Sequence, residues 1–237
     1  MRQIVPGVWQ LAGFPRDMFN VYLMQDVLVD AGTRWAVSRI LSQLGRRRLS
    51  MVALTHCHPD HQGAAAVLCE RFRVPLACHA ADVPAMEGRA PMLPDNFIMR
   101  LGLRFWAGPP YPVSRVLQDG DELAGFRVVH APGHTPGHCV FFRPADRVAI
   151  AGDVLANIHF LSRRPGLREP PPFFSVDREQ NRQSIQLLAA LKPRIVCFGH
   201  GPSLAEPKAL DVFAAYLAQR RIKPRQSSGI LQASRRD

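Results

Sequence analysis

Nowhere in the 237 residues do as many as 18 apolar residues run together, and the opening Met1-Arg2-Gln3-Ile4-Val5-Pro6 has no apolar signal core. Neither a helical membrane span nor a secretion signal is expected, so a cytoplasmic chain with no membrane partner is the expectation. Acids are scarce, 19 Asp and Glu against 30 Lys and Arg, for a formal net charge of +11. The arginines are dispersed, with clusters only at Arg46-Arg47-Arg48, Arg163-Arg164 and the C-terminal end, as on a solvated surface. This field favours an anionic small-molecule substrate without calling for nucleic acid, since no inserted nucleic-acid domain is visible. Five cysteines (Cys57, Cys69, Cys78, Cys139, Cys197) make no C-x-x-C and sit mostly in apolar runs, the pattern of reduced structural thiols. No G-x-S-x-G occurs, so that serine nucleophile is excluded. No repeat is visible by motif, and 47% hydrophobic residues suffice for a sizeable core.

What is present is concentrated in His56-Cys57-His58-Pro59-Asp60-His61, which follows the apolar run Met51-Val52-Ala53-Leu54-Thr55. Three imidazoles and a carboxylate in six positions make poor core, because each needs a polar partner. They suit metal ions. His56 and His58, two apart in extended chain leaving a strand, point the same way, while Asp60 and His61 enter a turn begun by Pro59. Two nitrogens can then face one ion, and an oxygen and a nitrogen a second. Cys57 points the other way and is expected to be a neighbour of the ligands rather than one of them.

H-x-H-x-D-H resembles the signature of the metallo-β-lactamase superfamily, and three further stretches extend the likeness from about Val8 to His200. Ala131-Pro132-Gly133-His134-Thr135-Pro136-Gly137-His138 is similar to the second ligand loop, Ala149-Ile150-Ala151-Gly152-Asp153 to the strand ending in a metal-bridging carboxylate, and Cys197-Phe198-Gly199-His200-Gly201 to the strand-end Gly-His. Gly63-Ala64 stands where the family usually has two glycines. The resemblance implies a four-layer αββα sandwich of the metallo-β-lactamase type. It implies that His56, His58 and His134 hold one metal, that Asp60, His61 and His200 hold a second, and that Asp153 bridges them. Two zinc ions are the expected cofactors, with iron or manganese admissible at one or both sites. Asp30 is either a support of the site, as in the family, or the cap of a helix starting near Thr33.

The implied reaction is hydrolysis of an ester, thioester or lactone carbonyl by a metal-bridging hydroxide, with Asp60 helping to pass the proton. A phosphodiesterase or nuclease is the first alternative and a mononuclear-iron oxygenase of the same fold the second. The family's branches differ in ways that narrow the place of this chain. Class B β-lactamases lack an Asp at the position of Asp153; glyoxalase II carries a Gly-Cys-Gly-Arg type stretch where Val154-Leu155-Ala156-Asn157 stands here. Acyl-homoserine lactonases place a Tyr soon after that Asp, and flavo-diiron proteins have Glu at the position of His58. A small hydrolase of the glyoxalase-II-like branch, but no true glyoxalase II, remains.

The rest of the chain sets further expectations. Residues 1–223 are expected to form one domain, with 224–237 a basic, flexible tail. Short strands are expected over residues 3–30, and a helical stripe of Trp35, Val37, Ile40, Leu41 and Leu44 facing the core up to Gly45. An Ala-rich helix over Gln62–Phe72 would start directly after the ligands and aim its N-terminus at them. Residues 115–130 look like a hairpin turning at Asp119-Gly120-Asp121. Asp177 caps a helix that ends before Lys192-Pro193. An inserted lid-like segment, about 80–114, carries Phe105, Trp106 and Tyr111 as candidate substrate contacts, and its 97–113 portion serves equally as an oligomer surface. His159, Arg163 and Arg164, on the loop leaving the Asp153 strand, are the other candidate contacts.

Overall fold

The computed structural model describes residues 1–205 and 207–220, so the expected tail at 224–237 lies outside the described residues. Runs rich in Val, Leu, Met and Tyr, broken by turns, give β1 (Arg2–Val5), β2 (Val8–Leu11), β3 (Val21–Met24) and β4 (Val27–Val29), an antiparallel meander. Next to β4 lie β5 (Met51–Ala53), β6 (Leu76–His79) and β7 (Arg115–Leu117), all parallel, completing a seven-stranded sheet in chain order. β4 and β6 are buried along their whole length, as central parallel strands covered on both faces must be. The second sheet holds β8 (Glu122–Leu123), β9 (Phe126–His130), β10 (Cys139–Arg143), β11 (Val148–Gly152) and β12 (Ile195–Phe198); only the β11–β12 pair is parallel.

Three apolar clusters define the layers. Leu28, Val52 and Leu54 pack against Ile40, Leu44 and Leu68 on α1 (Val37–Leu44) and α3 (Ala65–Phe72). Val8, Met24 and Val29 meet Phe126, Phe141 and Ile150 between the sheets. Val140, Ala149 and Phe198 pack against Ile185, Leu188 and Leu210 on α6 (Arg178–Ala190) and α7 (Pro207–Ala218). Helix, sheet, sheet, helix is the expected αββα sandwich. Asp177 Oδ1 accepts from the amides of Glu179 and Gln180, capping α6 as expected. Among the described residues, no helix is long and apolar enough to cross a membrane.

Several local expectations are corrected. Residues 34–36 form a tighter 3-10 turn ahead of α1, which rotates Trp35 off the core-facing stripe; it is 72% exposed and its indole Nε1 donates to the Phe105 carbonyl. The single helix over Gln62–Phe72 is two pieces, α2 (Pro59–Gln62) and α3. Gly63 N–H leaves the helical ladder to donate to the Gly32 carbonyl, 2.8 Å. A Cβ at Gly63 would lie 2.4 Å from Arg34 N and 2.5 Å from the Trp106 carbonyl oxygen, so glycine is required at this crossing. The single long helix expected to aim its N-terminus at the ligands is therefore not formed. The hairpin within residues 115–130 is β8–β9, closing at Ala124-Gly125 instead of Asp119-Gly120-Asp121; β7 pairs with β6, and Asp119–Asp121 carries the chain across to the other sheet. The 80–114 segment folds into α4 (Val83–Met86) and α5 (Phe97–Trp106).

Candidate metal centre

The ligand-bearing loops leave strand ends at one edge of the sandwich. Past β5 the chain bends at Thr55, whose amide donates to Asp30 Oδ1 (2.8 Å) and whose carbonyl accepts from Cys139 N–H (2.8 Å). His56 and His58 then face the centre, while Cys57 between them turns its Sγ to Met86 Sδ, 3.7 Å away in the core, as the alternation required. The loop after β9 carries His134, β11 ends next to Asp153, and β12 ends two residues before His200. Gly199 admits no side chain, since a Cβ there would stand 2.0 Å from Asp153 Oδ1 and 2.7 Å from His61 Cε1.

All five inward histidines are oriented by a second contact. Asp30 Oδ2 accepts from His61 Nδ1 (2.9 Å) and from Thr55 Oγ1 (2.9 Å). Thr55 Oγ1, its own proton on Asp30, accepts from His56 Nδ1 (3.0 Å). His58 Nε2 donates to the Leu93 carbonyl (2.8 Å), His134 Nδ1 pairs with Ser175 Oγ (3.3 Å), and His200 Nδ1 donates to the Met18 carbonyl. Each imidazole thus leaves its other nitrogen for the centre, the arrangement in which an outer partner fixes ring and tautomer of a metal ligand. Asp30 is a support of the site; no side-chain cap precedes the 3-10 turn at Arg34.

The inward atoms form three sets, each with its donors within 4.8 Å of one another: His56, His58 and His134; His56, His61 and Asp153; Asp60, His61 and His200. Asp153 Oδ2 lies 3.0 Å from His200 Nε2, 3.5 Å from His61 Nε2 and 3.6 Å from His134 Nε2, while His200 Nε2 is 3.4 Å from Asp60 Oδ2. Nε2 of His56, His61 and His134, and Oδ1 of Asp153, are buried with no hydrogen-bond partner among the described residues. Orphaned buried donors and acceptors are costly, and a cation with bonds of about 2.0–2.2 Å to imidazole and carboxylate satisfies them at these spacings. The residues therefore fit a bound metal.

Electrostatics agrees. Burial and the neighbouring imidazoles push His56 and His134 well below the ordinary imidazole value, so they offer lone pairs. Burial also opposes charge on His61 and His200, yet Asp153, with Asp30 and Asp60 beside His61 and Asp60 beside His200, raises both. Burial likewise disfavours the Asp153 carboxylate, but His200 and His61 hold it well below the usual range. The carboxylates around His61 and His200 thus favour positive charge at the place where a cation would sit.

Two aspects escaped the sequence reasoning. Asp82 is buried, and its carboxylate accepts from Cys57 N–H (2.9 Å), Thr135 Oγ1 (2.9 Å) and Gly137 N–H (2.7 Å), tying the first ligand loop to the second. His138, at the end of the second ligand loop, accepts the Asp153 amide at Nε2 (2.9 Å), and burial drives its pKa down to about 3.

The sequence model described as the metallo-beta-lactamase superfamily matches residues 16–200. The chain belongs to this superfamily. It is 30% identical over 218 residues to the "Probable metallo-hydrolase YflN" of Bacillus subtilis, covering 80% of this chain and 83% of that one. Among solved structures, the family protein TTHA1429 of Thermus thermophilus superposes with a TM-score of 0.66 at 24% identity, over 91% of this chain and 81% of that one. TTHA1623, solved in a di-iron-bound form, superposes with a TM-score of 0.59 at 29% identity, over 87% and 91%. Superfamily membership and the His/Asp cluster together support a metal-dependent hydrolase.

In this superfamily member the centre forms the floor of a cavity of about 130 Å³, bordered by His58, Asp60, His134, Asp153 and His200. Trp106 lines it, together with Met99 and Gly102, one inward face of α5. The other candidate contacts stand elsewhere. Phe105 falls on the outer face of the same helix, 52% exposed, and Tyr111 packs against the core behind α3. His159 Nδ1 accepts from the Ser162 amide (3.1 Å), closing its own loop, and neither Arg163 nor Arg164 borders the cavity. Both arginines are solvent-exposed. Phe160, beside His159, is the residue of that loop that reaches the site, its ring 5.1 Å from the His200 ring.

Proposed function

We propose that the chain hydrolyses carboxylic esters, thioesters or lactones with two metal ions, zinc first among the candidates and iron or manganese next. The observation that carries this reading is the position of Asp153 Oδ2, within 3.6 Å of His134 Nε2 on one side and of His61 and His200 Nε2 on the other, at the floor of a cavity. His56, His58 and His134 would hold one cation, Asp60, His61 and His200 the second, with Asp153 shared. Held there, such cations would supply the lowering of a water's pKa toward neutrality and the stabilisation of charge on a carbonyl oxygen.

The chain's own groups do the rest. The outer partners Asp30, Thr55, Leu93, Ser175 and Met18 hold the rings in place before substrate arrives, so no reorganisation is needed at the moment of reaction. Asp60 borders the cavity with its side chain 15% exposed, placed to carry a proton between attacking water and leaving group. Phe19, Trp106 and Phe160 exclude bulk water from the space over the centre.

Metal analysis of purified protein, paired with an aryl ester, a thioester, a lactone and a bis-aryl phosphate, tests the reading. The expected result is about two metals per chain by the two-site logic, with carboxyl-ester turnover abolished in His58→Ala and by chelation. Turnover of the phosphate alone would transfer the protein to the phosphodiesterases. One iron per chain with no hydrolysis would transfer it to the oxygenases.

A further inference from the structure

The cavity above the centre has a one-sided chemistry. Apart from the metal ligands and the indole N–H of Trp106, its lining offers no polar side chain, and it contains no lysine or arginine. The walls are Phe19, Met99, Trp106, Ala156, Phe160 and Phe174, drawn from four separate segments of the chain. Phe19 and Trp106 meet edge to face at 5.6 Å, and Phe19 and Phe160 each stand edge to face with the His200 ring, at 5.8 and 5.1 Å. Aromatic groups thus close over the ligands, and away from the metal-binding floor no lysine or arginine stands ready to receive a carboxylate or phosphate, although the chain carries +11 overall.

We infer that the group attached to the reacting carbonyl is uncharged and apolar, the size of an aryl ring or an acyl chain of about six carbons. This rests on the ester-hydrolase reading and adds the substrate class to it. The size follows from the volume: about 130 Å³ is close to the ~150 Å³ apolar cavity that takes up a benzene ring. The charge follows from the walls, because with the reacting carbonyl at the floor an ionised substituent would be desolvated against aromatic and aliphatic groups without a partner. The basic surface has no bearing on this choice, since Arg163 and Arg164 lie outside the cavity.

The test uses the metal-loaded full chain and p-nitrophenyl esters with acetyl, butanoyl, hexanoyl, benzoyl and monosuccinyl groups. Each methylene buried strengthens transition-state binding about fourfold, hence kcat/KM should rise on the order of 10²-fold from acetyl to hexanoyl. Benzoyl should be accepted, and succinyl should fall below butanoyl, which has the same number of carbons. In Ala156→Phe, which fills the cavity, the hexanoyl-to-acetyl ratio should collapse toward one. Thermal unfolding of the metal-free chain adds a readout independent of turnover: benzyl alcohol should raise Tm and succinate should not. Preference for succinyl, a flat chain-length profile, or stabilisation by succinate alone would overturn the inference while leaving the hydrolase reading intact. Loss of all ester, thioester and lactone turnover in the presence of two bound metals would instead remove the reading on which it rests.

Discussion

Replacing Asp82 separates positioning from coordination, because it touches no inward ligand atom yet joins the two loops that present His56, His58 and His134. Its carboxylate is 3% exposed and accepts three bonds of 2.7–2.9 Å. Asp82→Ala leaves the Cys57 and Gly137 amides buried without acceptors, a cost of about 1–3 kcal/mol each. The gain from no longer desolvating a carboxylate offsets part of this, for a net loss of about 3 kcal/mol. Asp82→Asn keeps one acceptor oxygen but turns an NH2 group toward the remaining donor side, and should lose about 2 kcal/mol. Urea unfolding of chelator-treated protein isolates the fold from metal linkage, with unchanged m values showing that the denatured state is not the cause. Calorimetric metal titration then reads positioning, and the three-histidine set should weaken about tenfold in Asp82→Asn. Stability within ~0.5 kcal/mol of wild type for Asp82→Ala, the range of an ordinary surface change, would refute the role given to Asp82.

Asp30→Ala removes the acceptor shared by His61 Nδ1 and the Thr55 amide and hydroxyl. Affinity for the cation at Asp60, His61 and His200 should drop about 10–100-fold, more than at the three-histidine set; equal losses at both in the same titration would contradict the geometry. All five thiols are free and buried, and burial pushes Cys69 and Cys197 up to about 12. With the thiolate suppressed until pH approaches that value, a thiol reagent at pH 8 should react only on unfolding and then count five groups; fast labelling of Cys57 in the native protein would show that it faces the ligands after all.

How far the site could be read from sequence depended on where the information lay. His56, His58, Asp60 and His61 declared themselves because four chemically demanding groups share six positions, whereas His134, Asp153 and His200 were implied by the resemblance to the metallo-β-lactamase superfamily. Apart from Asp30, the partners that orient them were hidden for a physical reason. Leu93 and Met18 act through backbone carbonyls, which every residue has, and Asp82 is a lone carboxylate whose three donors come from positions 57, 135 and 137. Helical phase explains the split among the candidate contacts: Met99, Gly102 and Trp106 share one face of α5, and Phe105, one residue earlier, is turned about 100° away. For β7, the local Asp-Gly-Asp turn chemistry was real, but its pairing with β6 is a long-range contact that no local pattern encodes.

The placement of the parallel pairs accounts for why these residues meet at all. Parallel neighbours end at the same sheet edge, so β4, β5 and β6 deliver Asp30, the His56–His61 loop and the Asp82 turn side by side, and β11 and β12 do the same for Asp153 and His200. Antiparallel neighbours would send alternate loops to opposite edges. The two sheets are joined at this point, where Asn20 and Tyr22 of the first donate to the Phe198 carbonyl of the second, two residues before His200. The ligands are therefore fixed by strand order and buried hydrogen bonds, whereas the cavity walls at α5, Phe160 and Phe174 belong to segments outside both sheets. Those same segments also supply the Leu93 carbonyl to His58 and Ser175 to His134, so specificity should vary independently of metal binding only at wall side chains that touch no ligand ring, such as Met99, and together with it where the substitution displaces Leu93 or Ser175.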